Sequence, residues 1–356
     1  MAAVAVSCSE KVQQPGTEGQ ETGGAGISFS LSTRAGEGTS GELVRLYIAE
    51  RLPEHNHDSE ALHCDTYYGS DGESVIGGGA GESAAGDISQ GDGGYVYTLG
   101  GMLPQWYKFA FVSVPDDIAW SGSVSGVDQS GTIDGSAMFI DGFEDGLCDF
   151  NDIAIDYTQV MKAQQADLDL IDGTDLHVYR KIIDRWLRPA AELPDEEDVV
   201  LKRVTGQLSL DMGIPEDQFP EEVNSVTVTM YVPTLVYLHD EADGSVLPDE
   251  SSSHMEYVSF QYSGIPWGQR QHFVINVALL PHEVNALVVV QYGSGSQSAS
   301  YSLSGEDSPV VIKPGVKTTV RFNGIEDGFR EVRYAGFPDD GSAVVGVDDD
   351  EWDPAE

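Results

Sequence analysis

The feature that most constrains the fold is a pair of alternating segments between residues 199 and 232. In each segment apolar side chains occupy nearly every second position, with mostly polar residues between them. The apolar series are Val204, Leu208, Leu210 and Met212, and then Val226, Val228, Met230 and Val232. Because successive strand side chains point to opposite faces, a period of two predicts strands with one buried face. We predict that these strands are antiparallel neighbours that open a second β-sandwich.

The rest of the sequence divides its 356 residues into two domains of ordinary size. Short alternating segments with turn residues between them occur in both halves, which predicts a mainly all-β chain of two tandem antiparallel β-sandwiches. A Gly-, Ser- and Asp-rich loop interrupts the first half at residues 52–94. The predicted division is 1–26 for a signal remnant and tether, 27–193 and 194–326 for the two sandwiches, and 327–356 for an extension with an acidic end.

One short helix is predicted near the junction, at residues 175–187. Thr174 stands at its N-cap position and Pro189 follows its end. The apolar residues at helical spacing are Leu176, Tyr179, Ile183, Trp186 and Leu187, and the opposite face carries Arg180, Lys181, Arg185 and Arg188. These cations suit either the negative end of a helix or a face that docks a partner. The acidic, Pro-marked segment 189–198 is predicted to be the linker.

The charge excludes one class of partner. Asp and Glu number 60 against 18 Lys and Arg, a formal charge of -42. Such a chain repels phosphates, so no nucleic-acid partner is expected. With only 3 Cys the chain is no disulfide scaffold. A pairing of Cys64 with Cys148 inside the first domain stays open at this point.

The N-terminus is typical of the end of a bacterial lipoprotein signal. A short apolar run leads to Ser7 and Cys8, and a Gln-, Pro-, Gly- and Glu-rich segment follows. This order predicts that Cys8 becomes lipidated and that acyl chains anchor the protein in the outer membrane. The alternative is a tail in which the Cys is incidental.

No catalytic motif stands out, because the sequence has no phosphate loop, nucleophile elbow, HExxH or Cys-x-x-Cys pair. We therefore expect a protein that is not an enzyme. One acidic stretch is dense in the oxygen ligands that Ca²⁺ prefers, although the EF-hand spacing is absent. Its candidate ligands are Asp141, Glu144, Asp145, Asp149, Asn151 and Asp152. The alternative is a solvated acidic turn.

A second cluster has the residue types that bind Zn²⁺ or another transition metal. Its members are Glu54, His55, His57, Asp58, His63 and Cys64. A surface loop that happens to contain several histidines is the favoured interpretation.

Several segments in a characteristic order resemble the fimbrillin family, which builds the type V pili of Bacteroidales. They are ISFSLSTRAG, LVRLYI, GYVYTLGGMLPQWYKFAFVSVPDD, DFNDIAIDYTQV, LKRVTGQLSLDMG, VINVALLPHEVNALVVVQYG and VKTTVRFNGI. The resemblance implies two transthyretin-like sandwiches, export as a lipoprotein, and assembly into or anchoring of a surface fimbrium that contributes to cell adhesion.

The resemblance also implies a mechanism of assembly. In polymerising fimbrillins a protease removes the first strand by cutting after an Arg, and a strand of another subunit fills the groove. Arg34 is the candidate cut site here, because it follows the first predicted strand. The segment 328–347 is either a donor strand or part of its own sheet, and anchor subunits of the family keep both strand and lipid.

A different class of function also stays open. It is a monomeric surface lipoprotein that binds glycan or Ca²⁺ through its loops, with Trp106, Trp120 and Trp267 as candidate stacking residues.

Overall fold

The computed structural model describes residues 25–33, 42–50, 63–68, 74–77, 85–91, 94–102, 106–115, 117–119, 132–140, 143–144, 147–149, 153–166, 177–187, 195–212, 223–237, 255–263, 274–293, 297–303 and 310–336. These residues are nearly all β, which confirms the predicted fold class. No helix in these ranges is long and apolar enough to cross a bilayer.

The described residues of the first half form fifteen strands, one 3₁₀ turn at Gly135–Met138 and one α-helix, α1, at Thr158–Ala166. The strands are β1 Ala25–Thr33, β2 Glu42–Glu50, β3 His63–Tyr68, β4 Ser74–Gly77, β5 Ala85–Gly91, β6 Gly94–Met102, β7 Trp106–Pro115, β8 Asp117–Ala119, β9 Thr132–Asp134, β10 Phe139–Ile140, β11 Phe143–Glu144, β12 Leu147–Asp149, β13 Ala154–Asp156, β14 Tyr179–Trp186 and β15 Asp195–Arg203.

The second half contributes strands only, within the described ranges. They are β16 Gly206–Asp211, β17 Val223–Pro233, β18 Leu235–Tyr237, β19 Met255–Ser263, β20 Val274–Leu279, β21 His282–Glu283, β22 Ala286–Tyr292, β23 Gln297–Ser302, β24 Val311–Ile312, β25 Val316–Phe322 and β26 Phe329–Gly336.

The first sandwich is one long sheet that folds over onto itself. Its order is β11-β12-β3-β2-β7-β14-β15-β1-β6-β5, and β4 pairs with β3. β3, β4 and β5 fall within residues 52–94, so the long loop predicted there is wrong. β14 and β15 pair at only two positions, Tyr179 with Arg203 and Arg180 with Lys202. The strands on either side of that corner face each other, since Phe29 of β1 packs on Phe109 of β7. A continuous core lies between the two layers.

The helix predicted at residues 175–187 is wrong, because Tyr179–Trp186 is strand β14. It pairs with β7 along its whole length. The basic side chains on it contact this chain itself: Arg180 Nη1 donates to the carbonyl oxygen of Tyr237 at 2.6 Å, and Arg185 lies 3.6 Å from Glu197. The helix that does form, α1, begins where the Asp156 carboxylate accepts a hydrogen bond of 2.8 Å from the Thr158 amide.

Strand β15 contains the last four residues, 195–198, of the segment that the sequence predicted as a linker. Residues 195–201 pair in parallel with β1 and residues 202–203 pair with β14, so the strand belongs to the first sheet. The chain passes to the second sandwich at Val204 and Thr205, about ten residues after the predicted start at 194. Residues 189–194 lie outside the described part. The division into two domains otherwise stays a prediction.

The second sandwich packs two four-stranded sheets, β20-β16-β25-β26 and β19-β17-β22-β23. The alternation that opened the sequence analysis is realised here, because the residues of each apolar series are buried. The two predicted neighbours do not pair, however. β16 pairs with β20 and β25, while β17 pairs with β19 and β22 in the opposite sheet.

Several backbone contacts join the two halves. β13 pairs with β18, and the Tyr157 amide donates to the carbonyl oxygen of Thr234 at 2.7 Å. The buried Gln164 side chain donates to the Ala278 carbonyl oxygen at 3.0 Å and accepts from the Ala278 amide at 2.8 Å. One apolar cluster continues from the outer face of β2 and β7 into the second sandwich. The halves are therefore packed together through a shared core.

Cys64 and Cys148 are direct partners in the antiparallel pairing of β3 and β12. Residues opposite each other in such a pair have Cα atoms about 4.5–5.5 Å apart. That separation lies inside the range of about 4.4–6.8 Å that a disulfide spans.

We predict that Cys64 and Cys148 form a disulfide under oxidising conditions, which preserve such bonds. Peptide mapping of the unreduced protein should recover the two cysteines as one linked pair. Cys64→Ser should lower the free energy of unfolding by about 2–4 kcal/mol. Cys8→Ser is the matched control and should leave it unchanged. Free thiols at both positions would contradict the prediction.

His282 is buried in the second sandwich at the pairing of β21 with β24. Its Nδ1 lies 2.8 Å from the carbonyl oxygen of Leu280. Burial lowers the pKa of His282 from 6.5 to about 4, and the Leu280 hydrogen bond opposes this in part. The folded protein therefore holds this imidazole neutral at pH values where the unfolded chain protonates it.

We predict that His282 makes the protein less stable as the pH falls from 6.5 towards 4. Its folded pKa lies below its unfolded pKa, so the unfolded state binds the proton first. Between pH 7 and pH 5 the loss should be about 2 kcal/mol. Urea unfolding of the wild type and His282→Gln at both pH values isolates this contribution. Equal pH dependence in the two proteins would contradict it.

Candidate functional site

The first described strand, β1, occupies the inside of a sheet although it comes from the start of the described chain. It runs parallel to β15 over seven register positions, from Ile27 with Asp195 to Thr33 with Leu201. On its other side it pairs antiparallel with β6. Both edges of β1 are therefore used, and a chain without it has two open strand edges that face each other.

The inward side of β1 fills the core of the first sandwich. Ile27, Phe29 and Leu31 are each buried to within 2% of complete. The Phe29 ring lies 4.8 Å from that of Phe109 and 5.0 Å from that of Phe111, centroid to centroid. Such tilted and edge-on contacts are the favoured geometry for aromatic rings.

We call the space that β1 fills the strand slot. Its side walls are β15 and β6, and opposed to it lies β7. The apolar side chains that line it are Tyr97, Leu99, Phe109, Phe111, Val199 and Leu201. The Tyr97 hydroxyl donates to the carbonyl oxygen of Val44 at 3.3 Å, which ties the β6 wall to the opposite layer.

The outward side of β1 is polar and makes few side-chain contacts. Ser28 and Ser32 are half-buried and Ser30 is exposed. Ser28 Oγ lies 3.3 Å from Thr98 Oγ1 on β6. The strand therefore has the alternation that any replacement would need: apolar at 27, 29 and 31, and small or polar between them.

An empty slot is unfavourable because the burial free energy of the β1 side chains would be lost. Burying three large apolar side chains contributes about 1.5–3 kcal/mol each, before conformational entropy is subtracted. Their sum is comparable with the whole stability of a domain, roughly 5–15 kcal/mol. Loss of β1 must therefore be matched by another strand in the slot, or the sandwich loses much of its stability.

Two predicted functional residues flank this strand but lie outside the described residues. Cys8 is in the segment before β1. Arg34 directly follows Thr33, the last residue of β1. Lipidation of the first and cleavage after the second stay predictions.

Only two of the six predicted Ca²⁺ ligands lie in the described residues. Glu144 is in β11 and Asp149 in β12, on strands that pair with their neighbours. The other four, Asp141, Asp145, Asn151 and Asp152, lie outside the described residues. Within the described ranges no three His, Cys, Asp or Glu side chains are grouped to hold a metal. The Ca²⁺ site stays a prediction.

Of the predicted Zn²⁺ cluster, His63 and Cys64 are in β3, and Glu54, His55, His57 and Asp58 lie outside the described residues. Among the candidate stacking residues, Trp106 pairs with Trp186, with ring centroids 5.9 Å apart. Trp120 and Trp267 lie outside the described residues.

Sequence reasoning missed the β15 wall of the slot. It assigned Val199 and Leu201 to the second domain, although they form the slot side that runs parallel to β1. The alternation of buried Val199 and Leu201 with exposed Val200 and Lys202 was a strand signal. The alternation did not indicate which sheet that strand joins.

The C-terminal strand β26 pairs with β25 of its own sheet. Phe329 packs on Tyr301 and Phe322, with centroid distances of 5.7 and 4.9 Å. Burial raises the pKa of Tyr301 to about 12, and its hydroxyl donates to the carbonyl oxygen of Ile325 at 2.8 Å. Gly328 has a φ of 64°, and a Cβ there would collide with the Tyr301 ring. Residues 337–347 of the predicted extension lie outside the described part.

No protein-family model and no curated protein sequence matches this chain. Among solved structures, it is similar to a candidate cell adhesion protein of Bacteroides eggerthii, with 10% identity, a TM-score of 0.46, and coverage of 88% of this chain and 96% of that one. A candidate cell adhesion protein of Bacteroides uniformis has 9% identity and a TM-score of 0.43, over 88% and 98% of the two chains.

A third similar structure is the tip fimbrial protein Mfa3 of Porphyromonas gingivalis, with a C-terminal truncation. It has 9% identity and a TM-score of 0.41, and the match covers 88% of this chain and 98% of that one. These structures belong to the class that the sequence resemblance named, the adhesion and fimbrial proteins of Bacteroidales.

We predict that Phe29→Ala lowers the free energy of unfolding by about 3–5 kcal/mol, because it leaves a cavity between Phe109 and Phe111. Ser30→Ala changes an exposed side chain of the same strand and should cost less than about 0.5 kcal/mol. Chemical denaturation of both variants checks this. Equal losses would mean that β1 is not part of the core.

Proposed function

We propose that the chain is a structural subunit or anchor of a bacterial surface fimbrium that contributes to cell adhesion, and that subunits assemble by exchange of the strand in the slot. Its partners are other fimbrial subunits, and a lipid on Cys8 holds it in the outer membrane. The observation that carries the proposal is the position of β1, which is first among the described strands and lies inside the sheet between β15 and β6.

The slot supplies what strand addition requires. The two walls, β15 parallel and β6 antiparallel to β1, offer backbone donors and acceptors along the strand. The pockets of Ile27, Phe29 and Leu31 fix the register of an incoming strand. A donor segment needs apolar side chains at three alternate positions, with the middle one able to fill the aromatic pocket. The affinity then comes from the same contacts that hold β1.

Cleavage after Arg34 has two consequences at once, because Cys8 and β1 both precede it in the chain. It detaches the lipid-bearing segment and it makes β1 a separate peptide. A chain that is cut enters a polymer, and a chain that escapes cutting stays as an anchor. The choice between subunit and anchor then depends on access of the protease to one peptide bond.

The pairing of β26 favours an acceptor or an anchor as the role of this chain. It disfavours a role in which residues 329–336 serve as the donor strand. Those residues already pair with β25 and are held by Phe329 in the cluster with Tyr301 and Phe322. A donor segment from this region would have to come from residues after Gly336.

The test is limited proteolysis of the full chain with an Arg-specific protease. We expect a new N-terminus at Ala35 and, on unheated denaturing gels, a ladder of multimers that the uncut protein lacks. Arg34→Ala should abolish both, whereas Arg51→Ala, a matched control that directly follows β2 in the sequence, should retain both.

Two results would contradict the proposal. One is a protein cut after Arg34 that stays monomeric and folded. The other is a ladder that Arg34→Ala forms as readily as the wild type.

A further inference from the structure

Among the described residues, the outward side chains on one face of the second sandwich are all uncharged, in a chain whose formal charge is -42. It is the outer face of the sheet β19-β17-β22-β23, and we call it the hydroxyl face. Its outward side chains alternate with the buried ones on each strand. They are Tyr257, Ser259 and Gln261 of β19, Thr227, Thr229 and Tyr231 of β17, Leu287, Val289 and Gln291 of β22, and Ser298, Ser300 and Ser302 of β23.

The outer face of the opposite sheet provides the contrast. There the positions that alternate with buried Leu210, Val320 and Phe322 include several charges. They are Asp211, Lys317, Arg321, Glu331 and Arg333. The outer face of the opposite sheet thus carries several charged side chains, unlike the hydroxyl face.

The hydroxyl face also concentrates exposed rings and aliphatic groups. Tyr257 is 69% exposed and Tyr231 46%, and the two are directly opposite in the register of β17 and β19. Leu287 is 47% exposed and lies opposite Thr229, on a diagonal to Tyr231. Opposite and diagonal neighbours on one sheet face are close enough to form a single surface.

The polar groups of this face include both donors and acceptors, beside the tyrosines and at the far end of β17. Thr229 Oγ1 and Ser259 Oγ are 3.2 Å apart, and the Ser225 hydroxyl donates to Gln291 Oε1 at 3.0 Å. In the second contact the Gln291 amide oxygen is the acceptor. Hydroxyls and primary amides can each satisfy a sugar hydroxyl in either role.

We propose that the hydroxyl face binds an uncharged glycan chain, with Tyr231 and Tyr257 stacking on sugar rings. A charged ligand would find no counter-charge there. A protein partner fits less well, because protein interfaces are depleted in Ser and this face presents four outward serines. The site is separate from the strand slot, so it does not depend on the proposed assembly.

The experiment is affinity electrophoresis of the full chain in native gels that contain mannan, dextran, mixed-linkage β-glucan or galactomannan, with polygalacturonate as the charged comparison. We expect retardation by at least one neutral polysaccharide and none by polygalacturonate. Tyr231→Ala and Tyr257→Ala should each weaken binding roughly tenfold. Tyr257→Phe keeps the ring and should stay within roughly threefold of the wild type.

Trp186→Ala removes an exposed aromatic side chain from the first sandwich and is the matched control, with unchanged binding expected. Thermal unfolding of each variant verifies that the fold is intact. Failure of all four neutral polysaccharides to retard the protein, or retardation that both tyrosine variants retain, would overturn the proposal. So would a dimer in sedimentation that Tyr257→Ala converts to monomer, because the face would then join copies of the chain.

Discussion

The packing of Phe29 between Phe109 and Phe111 is the interaction on which the first sandwich depends. It joins the two layers of a sheet that has folded over on itself, at a place where β14 and β15 share only two register positions. Because the ring belongs to β1, the core of the first sandwich is completed by the strand whose exchange we propose. On that proposal, stability and exchange depend on the same nine residues.

The rest of the molecule supports the strands that surround β1. β7 packs on Phe29 through one face and on the core shared with the second sandwich through the other, where Ala110 and Val112 are buried. Gln164 fastens α1 to β20 with two hydrogen bonds, and β13 pairs with β18 across the junction. The second sandwich thus supports the layer on which the slot is built, and exchange of β1 need not disturb the junction.

Much of the fold could be predicted from period-two alternation alone, because each sandwich buries one face of nearly every strand. The error at β14 has a definite cause. Its buried residues Tyr179, Ile183 and Leu187 are four apart, a spacing that suits one face of a helix and also every second inward position of a strand. The residue types decide between them, since Tyr, Ile and Trp favour strands over helices.

The sheet to which a strand belongs could not be predicted in the same way. The acidic start of β15 has the composition of a linker, yet it pairs with β1, and Glu197 lies 3.6 Å from Arg185 at the end of the core. That contact forms only because the sheet folds over at the corner between β14 and β15, and the local sequence does not indicate this corner. Local alternation therefore predicts single strands, while the assembly of the slot around β1 required the three-dimensional structure.

The most direct test of the central claim is a cryo-electron microscopy structure of the polymer that forms after cleavage at Arg34. The account predicts that a segment of a neighbouring subunit lies between β15 and β6, with an apolar side chain in the pocket of Phe29. A polymer in which residues 25–33 of the same chain still fill that position would contradict it.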